Sequence, residues 1–223
     1  MASVLVQRKS GGRAGDQLLA CVTEQGTTSH PYLRSDELLK GRFASRNLAD
    51  LVHFLCSLHA RFPGVIDHAA NRTVDPEARA WFARATEAFV VERTLLTRLA
   101  VAVGPLPSTP GAADSDSVLR AQHHAIGMLA QSERNGCALG AAMALVVEWH
   151  TLRAPLNAAA VRFGVDAPQI GLASIEEIRA LADSLGEDGA LRRAMMFGAE
   201  QIALQHRGLC DLLDARQSAR GVY

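Results

Sequence analysis

One apolar stretch constrains this chain more than any other feature. From Cys137 to Val147 every residue is Cys, Ala, Leu, Gly, Met or Val, and the run ends at Glu148. That is about half of the roughly 20 residues needed to cross a bilayer, so the segment has to be buried against protein. Being apolar on nearly every side, it predicts a central, largely buried helix over about 137–163, with Pro155 inside it as a place for a kink. Gly136, Gly140 and Ala144 form a ridge of small residues along which a second helix can approach closely.

Helical periodicity recurs on both sides of this segment. Leu48, Leu51, Val52, Leu55, Leu58 and Phe62 fall at three- and four-residue spacing and predict a helix over 46–62 that stops before Pro63-Gly64. Asp75-Pro76-Glu77 reads as an N-cap followed by proline at the first helical position, opening a helix that carries Trp81, Ala85, Phe89, Leu96 and Leu99 towards Gly104. The proline-rich stretch 104–111 is a linker. A third helix begins at Asp114 or Ser115, runs to about Arg134 and is stopped by Asn135-Gly136. Ser174-Ile175-Glu176-Glu177 is a capping box for a short helix to Ser184, and a long helix follows over about 188–216. With no strand alternation and no repeat at a fixed period, the expected fold is all-α: a single-domain bundle of about five principal helices. Residues 1–34 are expected to form an irregular N-terminal arm with a short helix near Gln17–Thr23, and residues 35–223 the helical-bundle domain.

Composition agrees with close-packed helices, because 38 alanines stand against 7 Phe, 2 Tyr and 2 Trp. Lys plus Arg and Asp plus Glu are both 23, so no net field draws the chain to nucleic acid or to a membrane surface. Met1–Ala20 carries Arg8, Lys9 and Arg13 and no apolar run of signal-peptide length, from which a cytoplasmic location is expected. Arginine outnumbers lysine 21 to 2, a bias expected of a high-GC bacterial genome. The cysteines Cys21, Cys56, Cys137 and Cys210 are widely spaced and read as reduced packing residues. Motifs for nucleotide binding, serine hydrolysis and zinc proteolysis are missing.

The informative residues are ionisable groups standing where the helical period asks for apolar ones. At about 100° per residue, Glu92 falls between Phe89 and Leu96, Glu148 falls in line with Leu145 and Leu152, and His206 falls with Ile202 and Leu209. His59 shares a stripe with Leu55 and Phe62, whereas His53 points the other way. His150 lies opposite Glu148 on the same helix, and His123 and His124 sit at the edges of an apolar face.

A buried carboxylate needs a proton, a hydrogen-bonding partner or a cation. Interior glutamates and histidines on separate helices are the ligand set of carboxylate-bridged di-iron and di-manganese bundles. A metal-binding bundle using Glu92, Glu148, His59 and His206 with His124, His123 or His150, and iron or manganese as the ion, is therefore the leading expectation. The E-x-x-H spacing of ferritin-type sites is missing, since Leu95 and Thr151 occupy the third positions after Glu92 and Glu148. An ion pair of Glu92 with Arg120 or Arg153, and neutral core imidazoles at His59 and His206, are the structural readings of the same residues. They lead to the alternative function: a non-enzymatic structural or adaptor bundle, homodimeric, or a bundle that binds a small apolar ligand in a cavity. The two readings differ in the interior they require, because a purely structural bundle is filled and fully paired, whereas a ligand-binding one keeps a cavity. Residues 62–68, which join the first two helices and carry Asp67 beside His68, could close over such a cavity.

Overall fold

Why the chain is all-α follows from how its helices begin and end. The computed structural model describes residues 12–221, so the basic stretch around Arg8 and Lys9 lies outside the described residues. Among those residues there are nine α-helices and no strand: α1 (Ala14–Gln25), α2 (Asp36–Leu39), α3 (Ala44–His59), α4 (Val65–Arg72), α5 (Pro76–Ala102), α6 (Ala112–Ala130), α7 (Cys137–Phe163), α8 (Ile175–Leu185) and α9 (Gly189–Gly221). Short 3-10 turns at Thr27–Ser29 and Pro31–Arg34 follow α1. The five longest helices, α3, α5, α6, α7 and α9, are those the periodicity singles out, and four shorter ones accompany them.

The boundaries have local causes. Asp75 caps α5 by accepting from the Ala78 N–H at 2.8 Å, and Ser174 and Glu177 make the reciprocal capping box of α8. Gly136 and Gly164 bracket α7 in left-handed conformation, at φ 96° and 67°, which a residue with a Cβ adopts only under strain. The 137–163 helix therefore starts and stops where the sequence places it. Others differ: α3 ends at His59 rather than Phe62, α6 ends at Ala130 rather than near Arg134, α9 continues past Arg216 to Gly221, the connection between α3 and α5 carries α4, and the N-terminal segment expected to hold a short helix near 17–23 carries all of α1.

Helix α7 is buried along its N-terminal half and makes its most extensive contact with α9. Glycine allows this approach. A Cβ on Gly140 would collide with the Met195 backbone, and one on Gly198 with the Cys137 carbonyl, so the two backbones touch. Helix α1 lies against α8 and α9, where the Gly15 N–H donates to Asp183 at 2.8 Å. Among the described residues no helix is long and apolar enough to cross a membrane. Among the described residues no disulfide joins the four cysteines.

Candidate functional site

Four ionisable side chains that the helical period aims inward are buried: Glu148 and His206 at 0 % exposure, Glu92 at 1 % and His59 at 5 %. Three of them meet. His59 sits in the last turn of α3, His206 in the middle of α9 and Glu148 near the middle of α7. The His206 Nδ1 lies 3.2 Å from Glu148 Oε2, and on the other side of the ring His206 Nε2 lies 2.8 Å from His59 Nε2. The far end of the chain is closed by backbone, since the Thr27 N–H donates to both Glu148 oxygens, at 3.2 and 3.0 Å. Gly26 makes room for this, because a Cβ there would strike Glu148 Oε1.

The hydrogen bonds limit where the protons can sit. Glu148 as a carboxylate can only accept, so His206 donates from Nδ1 and, when neutral, accepts at Nε2. His59 then donates from Nε2 and is left with Nδ1 as its bare nitrogen. Burial pushes the His59 imidazole well below its ordinary range, reinforced by neighbouring His206, Arg93 and His123, so it is neutral at pH 7.

Glu92 belongs to a different cluster. It accepts from Arg153 Nη1 at 2.5 and 2.6 Å and from Trp149 Nε1 at 2.9 Å. Of the two arginines considered from sequence, Arg153 is the partner. Trp149 stands between the clusters, its ring edge-to-face with His59 at 5.7 Å. The other histidines lie elsewhere. His150 bonds the Ala173 carbonyl at 2.9 Å, His53 bonds the Gly104 carbonyl at 2.8 Å, and His124 is exposed. The expected iron or manganese centre finds no support in this arrangement: among the described residues no group of three His, Cys, Asp or Glu side chains is placed to hold a metal ion. The reason is geometric, since Glu92 is taken by Arg153 and the two imidazoles aim their Nε2 atoms at each other rather than at a common point.

His59 also lines a partly open cavity of about 190 Å3 between α3, the 62–64 turn, α4, α5, α6 and α7. Its wall is apolar at Leu58, Phe89, Ile126 and Leu145 and polar at His59, Arg61, His68, His123 and Gln131. The His123 Nδ1 is buried without a hydrogen-bond partner. Arg93 lines the same cavity, but its guanidinium is committed to Asp67 and to the His59 carbonyl. Phe62, Pro63, Gly64 and His68 close the cavity from one side. A larger, open groove of about 770 Å3 lies over residues 164–170; its one buried charge, Arg153, is already held by Glu92 and the Pro168 carbonyl.

Sequence reasoning missed three pairings. Asp67 with Arg93 joins α4 to α5, Asp50 holds both Arg216 and Arg220, and His30 bonds Asp211 at 3.0 Å. A signal existed for the second, because Arg216 and Arg220 are four residues apart and share a helix face once α9 is carried past Arg216.

Residues 22–221 match the model of a family of unknown function, DUF6975. The chain belongs to that family. Neither the curated proteins nor the solved structures contain a match to it. This DUF6975 member carries a buried Glu148–His206–His59 array that ends at a cavity.

Proposed function

We propose that this protein is a helical bundle that binds a small, largely apolar molecule in the cavity beside His59. The observation carrying this reading is that two imidazoles line the cavity, His59, whose Nε2 is spent on His206, and His123, whose Nδ1 is buried without a partner. Buried polar groups kept only to fix packing are paired, as Glu92 is with Arg153 and Trp149. A bound molecule supplies the missing partner. A cavity of about 150 Å3 lined by apolar side chains suffices for benzene, so this one suits a ligand of that class with one polar group.

Gly127 provides the test. It lines the cavity, and a Cβ there meets no atom within 4 Å, so a larger side chain can enter the space without disturbing the helix. Benzene and toluene titrated into isotopically labelled protein are expected to shift methyl and ring resonances of Leu58, Phe89, Ile126 and Leu145. Gly127→Leu should abolish those shifts while keeping the fold. Unshifted resonances in the parent protein would overturn the proposal.

A further inference from the structure

The cavity wall and the buried array behind it share one residue, His59, and that connection specifies the ligand's polar group. The inference rests on the pocket reading above. We propose that His59, backed by His206 and Glu148, is the proton acceptor of the cavity, and that the ligand is a small compound carrying a hydroxyl group on an apolar body, phenol being the simplest example.

The argument begins with what each wall group can offer. His59 has spent Nε2 on His206, so its contribution to the cavity is Nδ1. With His206 neutral, donating to Glu148 and accepting from His59, that Nδ1 is bare and accepts. Arg93 has no free edge for a carboxylate, since Asp67 takes both its Nη atoms and the His59 carbonyl takes its Nε. The exposed Arg61 and the half-buried His68 also line the cavity, so the case for a hydroxyl rests on the two imidazoles. A hydroxyl fits both imidazoles: its hydrogen donates to His59 Nδ1, and its oxygen accepts from His123 if that ring carries its proton on Nδ1. Phe89, Leu58, Ile126 and Leu145 then enclose the apolar body.

Behind His59 the array can take up the proton as well as hold it. If the ligand O–H bond breaks and a Nδ1–H bond forms on His59, the His59 Nε2 proton passes across 2.8 Å to His206 Nε2. His59 stays neutral. The positive charge comes to rest on His206, against the Glu148 carboxylate, and the negative charge on the ligand oxygen. No oxidant, metal or further co-reactant enters the balance.

The test compares three fluorinated probes by fluorine NMR titration of the full chain: 4-fluorophenol, which carries the proton, and fluorobenzene and 4-fluoroanisole, which bracket it in size without one. The expected result is that 4-fluorophenol binds at least tenfold more tightly than either, and that Glu148→Gln or His206→Gln brings this advantage below about threefold. Equal binding of all three would overturn the proton-acceptor proposal and leave the pocket standing. Binding by none would overturn both. A His206→Gln protein that folds and keeps the full preference would show that His59 acts without the array, and would overturn the part assigned to His206 and Glu148. Should both variants fail to fold, the probe comparison in the parent protein still decides.

Discussion

His59 and His206 face each other Nε2 to Nε2 at 2.8 Å, with their rings at 86°. Only one proton fits between the two nitrogens, so one ring donates and the other accepts. Glu148, on the opposite side of His206, holds a proton on His206 Nδ1, so with His206 neutral it is His59 that donates.

That arrangement makes stability depend on pH in a defined direction. Burial, His206, Arg93 and His123 keep His59 neutral in the folded state far below the value of about 6.5 at which it protonates in an unfolded chain. Between those two values the unfolded chain binds more protons. The His59 contribution is therefore complete above about pH 6.5 and is lost as the pH falls through the window below it, by up to about 1.4 kcal/mol per pH unit. Urea midpoints measured from pH 8 to pH 5 should fall more steeply for the parent protein than for His59→Gln. Parallel curves would contradict this.

The Glu92 cluster predicts a large loss from a small change. Glu92→Ala strands Arg153 and the Trp149 N–H in the interior, at a cost of about 3–5 kcal/mol, as for other broken buried pairs. Glu92→Gln keeps an acceptor and should cost less. A Glu92→Met, Arg153→Met double variant should be more stable than Glu92→Ala, because neither charge remains. Denaturant unfolding of the three proteins measures the order.

Two glycine substitutions should have opposite signs. Gly140→Ala drives a methyl group into the Met195 backbone across the α7–α9 contact and should destabilise by at least about 3 kcal/mol, at the upper end of overpacking. Gly127→Ala adds a methyl in open space inside α6 and should stabilise by about 0.5–1 kcal/mol. Thermal unfolding distinguishes them directly.

These residues also show what could be read from sequence. The all-α fold and the Cys137–Phe163 helix were legible because apolar period and left-handed glycines are local. The burial of Glu92, Glu148, His59 and His206 was legible for the same reason, since each stands on a stripe. Their grouping was not. Which helix faces which is a property of the whole chain, and the Trp149 indole that parts Glu92 from His59 reads as one more core aromatic. Thr27, the backbone donor to Glu148, follows a helix in a segment whose glycines and weak periodicity hid it. Asp67 and Arg93 pair across 26 positions and carry no shared pattern.

Chelation separates this account from a metal-centred one. Dialysis against EDTA is expected to leave the melting temperature unchanged, because Arg153, Thr27 and the imidazoles themselves satisfy the interior carboxylates and rings. A marked drop, restored by iron or manganese, would return Glu92, Glu148, His59 and His206 to the role of ligands.

The most direct test is the tautomeric state of the two central histidines, read by nitrogen-15 NMR of histidine-labelled protein near pH 7.5. The account predicts His206 protonated on Nδ1 and bare on Nε2, with His59 protonated on Nε2 and bare on Nδ1. A His59 proton found on Nδ1 would contradict it, for the cavity would then face a donor and the array behind it would have nothing to accept.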